Sequence, residues 1–460
     1  MEKLNKNISD LRNKKIVPLL AQLAIPSTIG MLANSLYSIV DTIFIGRGVG
    51  TLAIAGIGIV FPIHMIIMAI AQLVGLGAAS IISRSLGKKD YRKAELTAGN
   101  SFLVIIVFGI IASTITFTFL NPILRVFGAT EAILPYARDY LSIITFGFIF
   151  FPTLVSTNNL IRAEGSARTA MAIMILSTGL NIIMDPIFIF GLKLGIKGAA
   201  YATIISQFIG FIYAISYYLR GKSVLSIKAR HFKLKFPILK EMFSLGFASF
   251  VRQASLSVLT IVINNSLGHY GGDLAIAIYS VANRLILFIT MPLFGVVAGV
   301  QPIIGFNYGA KNNNRVKESL KMSILVTVII GVFFFLILMI FPSFIIGIFS
   351  NDADLIQNSI FPIRMLMLFF PIIGSQLIGA SFFQSIGKAT PSILLSMVRQ
   401  TFFLIPLILI LPLFFNMTGI WVAFPIADLS AVAITSIFLR KEIAQINRRG
   451  SSEAGQLTLN

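Results

Sequence analysis

The sequence predicts an all-α polytopic membrane protein: twelve transmembrane helices in two six-helix bundles related by a parallel repeat. Three observations predict it. Of 460 residues, 56% are hydrophobic and 12% charged, with a mean hydropathy of +0.90, well above the balance of a water-soluble domain. Long apolar runs recur along the chain, each separated by a short polar or Gly/Pro-bearing break. The second half of the sequence also repeats the first.

An apolar run of about 18 residues or more spans a bilayer as a helix. Twelve such runs occur, at 18–45, 51–80, 96–120, 138–161, 169–192 and 197–219, then at 238–267, 274–305, 319–347, 360–384, 391–415 and 419–440. The first is too long for a signal peptide and stands too far from any small-residue cleavage site, so it reads as a retained helix.

Basic residues set the orientation, because Lys and Arg gather in cytoplasmic loops. Lys3, Lys6, Arg12, Lys14 and Lys15 precede the first run; Arg84, Lys88, Lys89, Arg92 and Lys93 lie in the second loop; seven more fall between Arg220 and Lys240. All belong to one side. The other side carries Arg47, Arg125, Arg138, Lys193 and Lys197, with acids such as Asp273, Asp352 and Asp354. Both termini are therefore expected to be cytoplasmic, in a multi-pass protein of the cell inner membrane. The net charge of +20 is then a topology signal, and no nucleic-acid partner is implied.

Gly46–Ser101 aligns without gaps on Gly268–Ser323, and the alignment sets Leu52-Ala53-Ile54-Ala55 against Leu274-Ala275-Ile276-Ala277. At the same offset Gly87 and Lys89 fall on Gly309 and Lys311, and Gly165 and Ala167 on Gly387 and Ala389. Each unit holds six helices, an even number, so both halves keep one orientation and are related by an axis along the membrane normal. The expected domains are an N-lobe over 1–219, a basic inter-lobe loop over 220–240, a C-lobe over 241–440 and a cytoplasmic tail over 441–460. Two bundles of this kind, rocking about a cleft, have the architecture of a secondary transporter.

Several chemistries are absent from the sequence. There is no G-x-x-x-x-G-K-[ST] phosphate loop, no H-E-x-x-H and no G-x-S-x-G, so neither direct ATP use nor an intramembrane hydrolase is indicated. Cysteine is wholly absent, which removes disulfides and thiolate metal sites. An enzyme is not expected, and no cofactor beyond a coupling ion, H⁺ or Na⁺.

Asp41, Asp185 and Asp428 lie inside runs. A carboxylate at membrane depth is costly unless it faces a cavity, takes a proton or pairs, which makes each a functional candidate. Asn34, Tyr37, Ser38 and Asp41 recur at helical spacing and form a polar stripe on the first helix. Asn181 stands one turn before Asp185, and Pro186, lacking an N–H, frees the carbonyl of Ile182. An amide, a carboxylate and a freed carbonyl within one turn make an oxygen-ligand set for Na⁺, or a proton site. The plainer alternatives are interhelical hydrogen bonding by Asp41, a structural kink at Pro186, and an ion pair between Asp428 and one of the intramembrane arginines, Arg252, Arg284, Arg364 or Arg399. Pro26 kinks the first helix beside the stripe, and a helix that bends and straightens there can couple ion binding to shape.

These residues resemble the multidrug and toxic compound extrusion family nearly end to end. The resemblance rests on Ile25-Pro26, Tyr37-x-x-x-Asp41, Gly75-x-Gly77 with Ser83-Arg84-x-x-Gly87, Arg162-Ala163-Glu164-Gly165, and Leu180-Asn181-Ile182-Ile183-Met184-Asp185-Pro186. It is closest to the DinF- and MepA-like branch. The resemblance implies export of organic cations or amphipathic drugs in antiport with H⁺ or Na⁺, by a monomer in the lipid bilayer. It carries Asp41, Asn181, Asp185 and Thr203 over as the N-lobe cation site, with Asp41, Asn181 and Asp185 as Na⁺ ligands if the ion is sodium. Tyr37, Asn34, Asn158 and Gln253 are the expected substrate contacts, and Pro26 and Pro186 the conformational residues. Another branch places acids in the seventh and tenth helices; this sequence has Gln253 and no acid there, which speaks against a C-lobe sodium site. The wider superfamily includes flippases of lipid-linked precursors, an alternative that predicts arginines converging on the cleft.

Overall fold

The computed structural model describes residues 2–348 and 352–457; positions 458–460 of the expected tail lie outside the described residues. Among the described residues nine helices are long and apolar enough to cross a bilayer, and two further pairs do so across bends of 43° and 44°. The longest of the nine, Phe236–Gly309, has 74 residues and would reach about 110 Å at 1.5 Å per residue, several bilayer thicknesses. It breaks at Gly272, whose φ of 64° lies in the left-handed region that glycine tolerates. Counting it as two spans brings the total to twelve, as the hydropathy pattern predicts.

In chain order, span 1 is Ile16–Gly48, span 2 Thr51–Gly87, span 3 Tyr91–Thr118 and span 4 the bent pair Leu134–Phe148 and Phe150–Ala163. Span 5 is Ala167–Gly191 and span 6 Ile196–Leu219. Spans 7 and 8 are the two parts of Phe236–Gly309, span 9 is Asn313–Ile340, span 10 the bent pair Ala353–Met367 and Phe370–Ser385, span 11 Ala389–Ile410, and span 12 lies within Pro412–Leu457. The expected runs at 138–161 and 360–384 are thus broken rather than straight. Prolines account for both bends: Pro152 and Pro371 sit just past the breaks and cannot donate to the carbonyls four residues back. Many helices outrun their apolar stretch, span 2 ending at Gly87 instead of near 80, because a helix already begun extends through its polar flank once the backbone bonds are in register.

The repeat is visible in backbone detail. Span 3 starts at Tyr91 and span 9 at Asn313, the positions that the sequence alignment pairs. Each is N-capped: Asp90 accepts from the N–H of Lys93 at 2.9 Å, and Asn312 from that of Arg315 at 3.3 Å, which satisfies N–H groups that the first turn leaves free. The residues just before these caps, Lys89 and Lys311, have φ of 60° and 59°.

The chain forms two compact units. The first is Ile29–Gly246 with the N-terminal helix Glu2–Asn13; the second is Lys14–Thr28 together with the chain from Phe247 on. The first unit packs around Val60, Ile67, Leu124, Leu141 and Ile196, and the second around Ile263, Leu293, Phe370, Ile408 and Trp421. These units differ from a division at the 220–240 loop in one systematic way: the opening turns of spans 1 and 7 belong with the opposite half. Close packing explains the exchange. A Cβ on Gly77 of span 2 would stand 2.0 Å from the carbonyl oxygen of Met242, and one on Gly299 of span 8 would stand 2.7 Å from the nitrogen of Ala24, so only glycine admits these two helix starts. Gly77→Leu is expected to eject the start of span 7 and lower the unfolding midpoint of the detergent-solubilised protein; the overpacking cost is typically about 1–3 kcal/mol.

In the first unit a short turn is held by a buried carboxyl. Glu164, which follows span 4, is fully buried. Its Oε2 accepts from Ser223 Oγ at 2.7 Å, from the Val224 N–H at 2.9 Å and from Tyr217 OH at 3.2 Å. Burial raises this carboxyl from 4.5 to about 7, against the opposing pull of those hydrogen bonds. A group whose folded value is raised stabilises the fold most below its unfolded value and loses that contribution as pH rises through the folded one. The segment 221–225 is therefore expected to loosen between pH 4.5 and about 7. Hydrogen exchange over 221–225, corrected for intrinsic rates, checks this: Glu164→Gln should abolish the pH dependence.

Candidate functional site

Spans 1, 4, 5 and 6 of the first unit bring together the polar groups that a bilayer would otherwise exclude. Asp185 and Asn181 face inward from span 5, one helical turn apart as their spacing requires, and both are buried. Asp41 of span 1 and Thr203 of span 6 are buried beside them, at 7% and 3% exposure. The amide nitrogen of Asn181 donates to Asp185; with the amide turned to satisfy every partner, that bond is 2.9 Å and the amide oxygen accepts from Thr203 N at 3.2 Å and Thr203 Oγ1 at 3.3 Å.

The carboxyls of Asp41 and Asp185 lie within hydrogen-bonding reach of each other. Two carboxylates in contact away from water repel strongly, so this contact is compatible with a proton or a cation held between them. Asp41 Oδ1 is buried and has no hydrogen-bond partner, an oxygen whose desolvation is left uncompensated. The hydroxyls of Tyr37 and Tyr140 converge on Thr203 from spans 1 and 4.

Pro186 closes the α-helical part of span 5, and Ile187–Gly191 continues as a wide π-helical turn. The missing N–H at Pro186 loosens the ladder just where Asp185 points inward, and such π turns recur at functional sites. Pro26 is buried in the second unit, two residues before the chain passes to the first. Ser27 Oγ bonds the carbonyl of Leu23 at 2.8 Å.

Not every expected residue joins the cluster. Asn34 and Ser38 are exposed, and the Ser38 hydroxyl bonds the Asn34 carbonyl. Asn158 is buried in span 4 and donates to the carbonyl of Ala170 at 2.8 Å, a joint between spans 4 and 5. Gln253 is half-buried in the second unit. Tyr140, conversely, joins the cluster without being singled out by the sequence: a tyrosine in an apolar run reads as an interfacial anchor. Its spacing from Ala137 and Ile144, both buried on the same face, is the signal that could have found it.

In the second unit Asp428 is buried and its Oδ1 accepts from Arg399 Nε at 2.5 Å. The remaining intramembrane arginines go elsewhere. Arg364 donates to the Met339 carbonyl at 3.3 Å, Arg252 stands 5.9 Å over the Phe294 ring, and Arg284 is exposed. Among the described residues no group of three or more His, Cys, Asp or Glu is placed to hold a metal ion.

A family model, MatE, matches the chain twice, over residues 26–187 and 248–410. The chain belongs to the MATE family. The two matches begin at positions that the internal repeat pairs, so the family's unit is the half-transporter. The chain is 30% identical over 411 residues to a multidrug export protein MepA of Staphylococcus aureus (strain MSSA476), covering 89% of this chain and 90% of that one. It is 30% identical over 416 residues to the MepA of Staphylococcus haemolyticus (strain JCSC1435), covering 90% and 91%. Among solved structures, a MATE crystal structure in a bent conformation superposes with a TM-score of 0.92 at 25% identity, covering 97% of this chain and 99% of that one. This is a MATE family transporter of the MepA-like branch, all-α, with its twelve spans in two repeats.

Within this MATE chain Thr203 is the hub of the cluster, and its hydroxyl is the removable part. Thr203→Val is expected to weaken the cluster by about 1 kcal/mol, read as a lower unfolding midpoint of the detergent-solubilised protein. Thr203→Ser should keep the midpoint of the wild type.

Proposed function

We propose that this protein exports organic cations and other amphipathic drugs, and that each export step is coupled to protons entering through the Asp41–Asp185 pair. Relatives named as multidrug export proteins over nine-tenths of the chain support the drug substrate. The observation that carries the coupling is the pair itself: two buried carboxyls in contact, one oxygen without a partner. A proton suits the pair better than Na⁺. Asn181 turns its N–H to Asp185 while its oxygen is taken up by Thr203, whereas a hard cation would draw that oxygen toward itself.

Proton and drug compete for the first unit. Entry of a proton fills the pair, and a cationic drug binds when the pair is empty and negative. One charge moving inward through 100 mV releases about 2.3 kcal/mol, enough for a gradient of tens-fold in a neutral substrate. Asn34, exposed and with no side-chain hydrogen bond among the described residues, is a polar contact available to substrate. Pro26 and Pro186 supply the bends. The protein would lie in the cell inner membrane, with both termini in the cytoplasm, where the basic loops fall, and work as a monomer without nucleic acid or cofactor.

The test is uptake of ethidium into proteoliposomes holding the full chain. A pH gradient should drive it with Na⁺ absent, and a Na⁺ gradient at equal pH should not; the reverse would make the ion sodium. Export of a lipid-linked precursor is the second reading, and it needs several arginines free for a pyrophosphate. The Arg399–Asp428 pair and the separate contacts of Arg364 and Arg252 speak against it.

A further inference from the structure

The start of span 7 is fastened inside the first unit by charge. Glu241 Oε1 accepts from Arg84 at 2.9 Å and Oε2 from Lys93 at 2.9 Å. The side chains of Arg84 and Glu241 are 14% and 30% exposed, so water screens this clasp only in part. The second repeat has a clasp at the matching place but of another kind. Arg315, which the repeat pairs with Lys93, donates to the backbone carbonyl of Lys14 at 2.7 Å. There a backbone carbonyl accepts from the cation, whereas here a carboxylate is held by two cations, which an anion of higher charge can draw away.

Room for such a competitor lies beside Glu241's partners. A polar cavity of about 140 Å³ is lined by Ile81, Arg84, Ser85, Lys88, Asp90 and Lys93. The Lys88 ammonium makes no hydrogen bond or ion pair among the described residues, its backbone N–H alone bonding the Arg84 carbonyl, and Arg84 has donors left after its bonds to Ser80 and Glu241. The acid in the wall, Asp90, is engaged as the N-cap of span 3, its Oδ1 accepting from the Lys93 N–H. Three cations against Asp90 and Glu241 leave the pocket positive. The pocket sits at the polar end of span 2, past its apolar stretch. Guanidinium and ammonium groups placed together favour phosphate oxygens, which offer more acceptor positions and more charge than a carboxylate.

We propose that this cavity binds a phosphate group and that the bound phosphate competes with Glu241 for Arg84 and Lys93, releasing the start of span 7 from the first unit. The source is either the headgroup of an anionic lipid or a soluble phosphate. Lys88 touches the cavity but not Glu241, so it separates the site from the clasp.

The absence of cysteine makes the test direct: Phe236→Cys, at an exposed position at the start of span 7, carries the only spin label on the full chain. In phosphate-free maltoside micelles the label should be restrained, and Glu241→Gln should mobilise it. Adding phosphatidylglycerol or inorganic phosphate should mobilise it likewise, and Lys88→Gln should remain restrained yet lose that response. A response to the lipid alone assigns the site to headgroups; a response to inorganic phosphate assigns it to soluble phosphate. No response to either anion, an undiminished response in Lys88→Gln, or a Glu241→Gln label as restrained as wild type would each overturn the proposal.

Discussion

Asparagine in place of Asp41 or Asp185 is expected to reduce pH-driven ethidium efflux to the leak level while leaving the chain folded in the membrane. Asparagine keeps the shape and the hydrogen-bonding oxygen but cannot exchange a proton. At Asp185 the N–H of Asn181 still finds an acceptor, so the cluster stays assembled. The loss therefore falls on coupling. Exchange of one proton for one ethidium cation moves no net charge, so the pH gradient is the driving force, and in either variant it should move no ethidium beyond the leak. Because the two carboxyls act as one proton site, the double variant should be no worse than either single one, a non-additivity expected of residues that act as a unit. Undiminished gradient-driven efflux by both single variants would remove the pair from the mechanism.

The second large effect belongs to Asp428 and Arg399, and it concerns stability. Asp428 is 1% exposed, and its second oxygen, Oδ2, has no partner. Asp428→Ala leaves the Arg399 guanidinium facing the interior without its counter-charge, and breaking a buried pair on one side costs about 3–5 kcal/mol. The unfolding midpoint should fall sharply. The double variant Asp428→Leu with Arg399→Met removes both charges and fills the space, and should recover most of the loss while retaining ethidium efflux. Recovery of stability with complete loss of efflux would instead give the pair a part in transport.

These two acidic sites show how far the sequence could be read. A carboxylate inside an apolar run is conspicuous, because the bilayer excludes it unless something compensates; Asp41, Asp185 and Asp428 were legible for that reason. Helical spacing then tied Asn181 to Asp185. Which acids share a proton and which pair with an arginine depends on neighbouring helices, and hydropathy carries no information about neighbours. Arg399 was one of four arginines available to Asp428, and only packing selects it. Tyr140 was hidden on the same ground: in sequence a span tyrosine looks like an interfacial anchor, and only the fold turns its hydroxyl to Thr203.

The twelve spans were legible because hydrocarbon thickness sets their length, and the repeat because its loops match as well as its helices. The bends in spans 4 and 10 were not, since Pro152 and Pro371 mark where a carbonyl is freed but not how far the helix turns. The exchange of helix starts between the units was also hidden. It depends on Gly77 and Gly299 admitting a backbone from the other half, and a glycine in an apolar run serves equally well at a kink or against a neighbouring span. The N-terminal helix Glu2–Asn13 was hidden in a polar, charged stretch; it docks through buried Leu11 against Gly165 and through Asn7, which donates to Ser166 at 2.8 Å.

Proton release on drug binding tests the central claim most directly. Ethidium added to the purified full chain in weakly buffered solution with a pH indicator should liberate protons from the wild type, and none from Asp41→Asn or Asp185→Asn. Ethidium binding without proton release from the wild type, or release undiminished in both variants, would contradict the shared carboxyl pair as the point where drug and proton exchange.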